Sequence, residues 1–186
     1  MIAYPTKGHL LVAEPSILGD TSFTRSVILL ADHNDKGSVG FILNKPLDVK
    51  LSDLIEGIED CEMPIYNGGP VEQENLYFIH TVPDLIEDSL EIASGIYWGG
   101  NFERALELIM NEEICCEKIK FFLGYSGWES NQLNQEIVQN SWVILENDQQ
   151  DALLKDNHTA LWRDKIIEIG GDYALWSNAP ENPQYN

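Results

Sequence analysis

Cations are scarce in this chain. Lysine and arginine together number 11 against 31 aspartates and glutamates, which leaves a formal net charge of −20. Nucleic-acid binding draws most of its affinity from Lys and Arg neutralising phosphates. No four basic residues cluster anywhere, and no aromatic–basic alternation marks a single-strand platform. Direct DNA or RNA binding is therefore disfavoured, as is adhesion to an anionic membrane surface. Cysteine is scarce as well. Cys115 and Cys116 are adjacent, Cys61 stands alone, and no CxxC or Cys/His spacing points to zinc. An odd, unspaced set is no disulfide framework, so a reducing, cytoplasmic setting is expected. No apolar run approaches the ~18 residues of a membrane span, and residues 1–7 lack a secretory pattern.

The chain does have enough apolar surface for a core: 186 residues, 44% of them hydrophobic, fit one domain over 1–186. The Asn- and Pro-rich tail, 178–186, is expected to fray. The organising stretch is 8–46, with extended segments at 8–13, 25–31 and 38–44. Val27-Ile28-Leu29-Leu30 and Val39-Gly40-Phe41-Ile42-Leu43 are apolar throughout, as strands covered on both faces should be. The 14–25 connection is too long for a tight turn, which argues against pairing of the first two strands through a simple loop. Strand alternation would place Phe23, Arg25, Val27 and Leu29 on one side. Further on, a short helix over 51–56, strands at 64–67, 76–82, 90–98, 118–123 and 141–146, and helices at 102–113, from 130 or 131, and at 159–169 are expected. Strands precede most helices without strict alternation. This predicts an α+β domain with a mixed, strongly bent sheet and flanking helices.

The motifs offer little catalytic chemistry. Gly124-Tyr125-Ser126-Gly127-Trp128 is expected as a turn between strand and helix, where a nucleophile elbow would lie. The elbow needs a second glycine where Trp128 stands, and no order of His9, His33, His80 and His158 supplies its base. The turn 32–37 fails as a calcium loop at Lys36 and Leu43. Gly68-Gly69-Pro70 and Gly99-Gly100 lack the lysine of a phosphate loop and read as bends where backbone approaches backbone. Trp128 is expected near a cleft. Gln132 and Glu136 lie one helical turn apart; Arg25 is a framework arginine or an anion anchor. No cofactor and no metal are indicated.

Gly8-His9-Leu10-Leu11-Val12-Ala13-Glu14-Pro15, Phe23-Thr24-Arg25-Ser26-Val27-Ile28, Gly40-Phe41-Ile42-Leu43-Asn44-Lys45-Pro46, Asn67-Gly68-Gly69-Pro70-Val71 and Phe122-Leu123-Gly124-Tyr125-Ser126-Gly127-Trp128, followed by Gln132-Leu133 and Glu136, resemble the YqgE/AlgH family from about residue 8 to 173. The resemblance implies a bacterial, cytoplasmic protein whose split sheet curls into a pseudo-barrel. It also implies a family of unestablished activity that bears a transcriptional-regulator label tied to exopolysaccharide control. The chain departs from the family at Thr21, where proline is common, at Asn131, where glycine is usual, and at Ser126, where alanine is common.

The reading that follows is a non-catalytic binding protein acting through a protein or small-molecule partner. Its candidate binding residues are Arg25, Asn44, Gly68, Gly69, Tyr125, Trp128, Gln132 and Glu136. The alternatives are a hydrolase or other enzyme built on Arg25 with Glu136 or a histidine, and a direct DNA-binding regulator, which the charge opposes.

Overall fold

The computed structural model describes residues 4–15, 21–58, 61–93, 95–147, 153–155 and 158–178, so the tail from 179 lies outside the described residues. Ten strands form one large, bent, unclosed sheet: β1 (Leu10–Ala13), β2 (Val27–Asn34), β3 (Gly37–Ile42), β4 (Pro46–Lys50), β5 (Pro64–Asn67), β6 (Val71–His80), β7 (Leu90–Ala93), β8 (Ile96–Trp98), β9 (Ile119–Glu129) and β10 (Trp142–Leu145). Five helices flank it: α1 (Leu51–Leu54), α2 (Phe102–Met110), α3 (Gln132–Val138), α4 (His158–Ile169) and α5 (Tyr173–Trp176). The main path runs β10-β1-β2-β3-β9-β6-β8-β7 and is antiparallel; β5 joins β9 in parallel and carries β4 outside it. The α+β class and the mixed, bent sheet are as the sequence implied.

The early hairpin is the centre of the core. Val27, Ile28, Leu29 and Leu30 are all fully buried. Period-two alternation sends Val27, Leu29 and Ala31 into one cluster with Phe41, Phe122 and Trp162, and Ile28 and Leu30 into another with Trp128, Leu133 and Trp142. Burial on both faces explains why β2 is apolar at consecutive positions. A third cluster lies beneath α2, where Ala105, Leu108 and Ile109 meet Phe78, Phe121 and Ile65.

Several local expectations are corrected. β1 does pair with β2, Leu11 opposite Ile28, despite the long connection. Arg25 is not in a strand: its φ of 53° is left-handed, and this breaks the alternation. Phe23 stacks on Trp128 on one face of the sheet, while the Arg25 guanidinium lies 5.0 Å from the ring centroid of Trp162, which belongs to the cluster on the other. The segment 90–98 is a hairpin, β7–β8, turned at Gly95. Residues 124–128 are no turn; β9 runs through them as the longest strand.

That strand explains the Gly-Gly-Pro motif. β5 and β6 both pair with Phe121, Phe122 and Leu123 of β9, one on each edge. The tetrapeptide Asn67-Gly68-Gly69-Pro70 must therefore carry the chain across the strand. It crosses at Gly124 and Tyr125, between the stretch paired to β5 and the stretch paired to β3. A Cβ on Gly68 would stand 2.1 Å from the Gly124 carbonyl oxygen, and one on Gly69 2.3 Å from the Tyr125 carbonyl carbon. Backbone rests on backbone, and side chains have no room.

Candidate functional site

The eight candidate residues fall into three hydrogen-bonded groups, each built around a backbone need. At the first, Asn44 follows β3 and reaches back to the chain entering β2. Its Oδ1 accepts from the Val27 N–H at 2.9 Å and its amide donates to the Arg25 carbonyl at 2.8 Å. The side chain thus holds the left-handed turn at Arg25 against the sheet.

At the second, the crossing of Gly68 and Gly69 is pinned from several sides. The Gly68 carbonyl accepts from the Ile42 N–H and from the Ser126 hydroxyl at 3.0 Å; the Asn67 side chain accepts from the Gly69 N–H. Ser126 is fully buried. Tyr125 meets Tyr77 edge-on, with ring centroids 5.7 Å apart. The Tyr77 hydroxyl donates to the Glu72 carboxylate, a bond that lowers the Glu72 carboxyl below its ordinary range and raises the Tyr77 phenol above its own.

The third group centres on Glu136. α3 starts after Asn131, which takes the left-handed φ of 62° that asparagine tolerates where the family resemblance implies glycine. One turn later, a single carboxylate oxygen of Glu136 accepts both the Trp128 and the Trp142 indole N–H, each at 2.8 Å. The other oxygen accepts from the Gln132 amide at 3.0 Å, and the Gln132 carbonyl oxygen accepts from the Glu129 N–H. Trp128 is 5% exposed and packs edge-on to Trp142 with Phe23 alongside, in an aromatic cluster and not at a cleft mouth.

A sizeable cavity lies elsewhere. A groove of about 570 Å³ opens between the segment leading into β5 (Gly57, Ile58, Cys61, Glu62, Met63, Pro64) and the end of α2 with its trailing loop (Ile109, Met110, Glu112, Cys116). Sequence reading missed it because its walls come from two stretches far apart in the chain, and no pattern within either one signals a concavity between them. The only signal was the placement of rare sulphur residues. Behind it, the nearly buried Lys120 ammonium lies 4.1 Å from the Tyr66 ring centroid and donates to the Leu43 carbonyl.

A second, polar cavity of about 390 Å³ is lined by His33, Asn34, Asp35, Ser38, Ser130, Asn131 and Asn134 among others. His33 and Ser38 are paired across the β2–β3 hairpin, which puts Ser38 Oγ 2.7 Å from His33 Nδ1. Among the described residues no three His, Cys, Asp or Glu side chains gather as a metal site, and no helix is long and apolar enough to cross a membrane.

The architecture matches solved folds. Over 94% of this chain and 93% of the other, it superposes on a crystal structure from Corynebacterium diphtheriae with TM-score 0.77 at 23% identity. It also superposes on the solution structure of the AlgH protein from Pseudomonas aeruginosa with TM-score 0.73 at 26% identity, covering 94% of each chain. A UPF0301 protein of Parabacteroides distasonis is 41% identical over 184 residues, 98% of this chain and 92% of that one. One from Chlorobaculum parvum is 38% identical over 179 residues, 96% and 95%. The AlgH-like profile (DUF179) matches residues 10–174. The chain belongs to the AlgH-like family of uncharacterised UPF0301 proteins.

Proposed function

We propose that this protein is a non-catalytic, cytoplasmic binding protein that acts through a small-ligand or protein partner. Any influence on gene expression is then indirect. One observation supports this above others: the polar side chains of the family motifs are committed to the fold. Asn44 clamps a turn, Ser126 and Asn67 hold the crossing, and Glu136 with Gln132 ties two indoles to a backbone N–H. The groove beside α2 meanwhile offers an apolar wall with two exposed acids, a surface suited to holding a molecule.

Native mass spectrometry of the chain, purified gently from its own cells, tests this. A stoichiometric adduct that denaturation releases is the expected result; bare protein in repeated preparations would count against it. The net charge of −20 opposes direct promoter binding, so duplex DNA in a low-salt gel-shift experiment should run free.

A hydrolytic reading has one specific observation in its favour, the short Ser38–His33 contact beside the polar cavity. It predicts turnover of an activated ester such as p-nitrophenyl acetate, lost in Ser38→Ala at unchanged Tm.

A further inference from the structure

We propose that the groove between Gly57, Ile58 and residues 61–64 on one side and the end of α2 on the other is a ligand site for an aromatic small molecule without negative charge. The proposal rests on the binding-protein reading above and deepens it by naming the site and the ligand chemistry. Size comes first. At about 570 Å³ the groove falls within the roughly 300–1,000 Å³ that small-molecule sites occupy. A floor of Ile58 and Ile109, both nearly fully buried, gives it a firm base in the cluster beneath α2.

The lining chemistry is more selective than its size. The chain has three cysteines and three methionines, and Cys61, Met63, Met110 and Cys116 all line this one groove. Thioethers and thiols are polarisable and pack favourably against aromatic rings, with sulfur about 5 Å from the ring, and methionine adapts to the shape it meets. Met110 is 53% exposed at the end of α2, so its flexible thioether is within reach of a molecule entering the groove.

Charge sets the second requirement. Glu62 and Glu112 are the charged residues of the lining, and no base is among them. The nearby Lys50 ammonium is engaged by Glu62, whose hydrogen bond raises the Lys50 pKa above its ordinary value. Lys120, behind Met63 and Cys116, turns its ammonium onto the Tyr66 ring and the Leu43 carbonyl. An anionic ligand entering this groove would meet like charge on a chain of net charge −20. A neutral or cationic ring meets none of that repulsion.

The experiment is a fluorescence titration of the full chain with Nile red, a neutral aromatic dye, and with anilinonaphthalene sulfonate, an anionic one of similar size. Nile red should bind saturably at one site per chain, with the anionic dye at least about tenfold weaker. Met110→Trp, which fills the groove from an exposed position, should weaken Nile red by a similar factor at unchanged circular dichroism and Tm. Val138→Trp, on an exposed position of α3 outside the groove, should leave binding intact. Non-saturating binding, equal affinity for both dyes, or wild-type affinity in Met110→Trp would each overturn the proposal. Native mass spectrometry of the same variants separates two failures. An adduct that survives Met110→Trp places recognition elsewhere and removes the groove but not the binding reading. Bare protein together with no dye binding removes both.

Discussion

Replacing Glu136 by glutamine keeps the shape of the side chain and changes only what it can accept. The carboxylate serves three donors: two indoles on one oxygen and the Gln132 amide on the other. If the new amide oxygen kept the indoles, its NH₂ would face the NH₂ of Gln132, donor against donor. Turning Gln132 over would then take the acceptor away from the Glu129 N–H. Glu136→Gln should cost about 0.5–1.5 kcal/mol in denaturant unfolding, the range for one lost hydrogen bond whose exposed partner water can satisfy. Glu136→Ala should cost more, and should shift tryptophan emission as both indoles lose their acceptor. The buried His80 gives a prediction in pH. Its Nδ1 accepts from the Val82 N–H, so the proton sits on Nε2, facing the Gly99 carbonyl. Burial, only partly opposed by that carbonyl, lowers its pKa below the ordinary 6.5. The folded state thus binds the proton less readily than the unfolded one. Its contribution is complete above about pH 6.5 and is lost as pH falls from there toward the lower folded value. Stability measured from pH 7 to 5 should drop more steeply in wild type than in His80→Gln. Of these details, only the one-turn spacing of Gln132 and Glu136 was legible in sequence. The indoles arrive from two different strands, β9 and β10, which no local pattern announces.

At the scale of elements, the crossing over β9 is the feature most exposed to a single methyl group. Gly69→Ala would place its Cβ against three backbone atoms within 2.4 Å, none of which can swing aside as a side-chain tip can. The tetrapeptide would have to lift off, breaking the Gly68 bonds to Ile42, Leu123 and Ser126. A loss above about 3 kcal/mol, or failure to fold, is expected, since overpacking of this kind has no soft partner. Chemical denaturation beside Gly171→Ala checks it: there a Cβ meets nothing within 4 Å, and only the ~1–2 kcal/mol of a left-handed backbone should be lost. The glycine pair was readable as a close approach of backbones, yet the sequence assigned Gly124 to Trp128 to a turn. Two glycines in five residues look like punctuation; here Gly124, where a Cβ would stand 2.7 Å from the Gly69 and Val71 carbonyl oxygens, lets the strand pass under another segment. The strand β4 was missed for a related reason. Pro46-Leu47-Asp48-Val49-Lys50 is half polar, and only its pairing with β5 outside the main path makes it extended. The early hairpin was legible because four consecutive fully buried positions leave a strand no choice of composition.

For the molecule as a whole, self-repulsion among 31 acids and 11 bases should make Tm rise between low and moderate salt, and a thermal melt over an ionic-strength series measures it. Fold class was legible at this scale because the order of strands and helices in the chain constrains architecture. The groove was not, since a concavity is a relation between distant stretches. The pairing of β1 with β10 has one more consequence. Leu10 lies opposite Leu145, and the Trp162 indole donates to the Ala13 carbonyl across 149 positions of sequence. A ribosome making this polypeptide therefore completes most of the sheet while the first strand still lacks the neighbour on its outer edge. Nascent chains halted before residue 145 has cleared the exit tunnel should stay open to protease at their amino end, and those released past α4 should abruptly resist it.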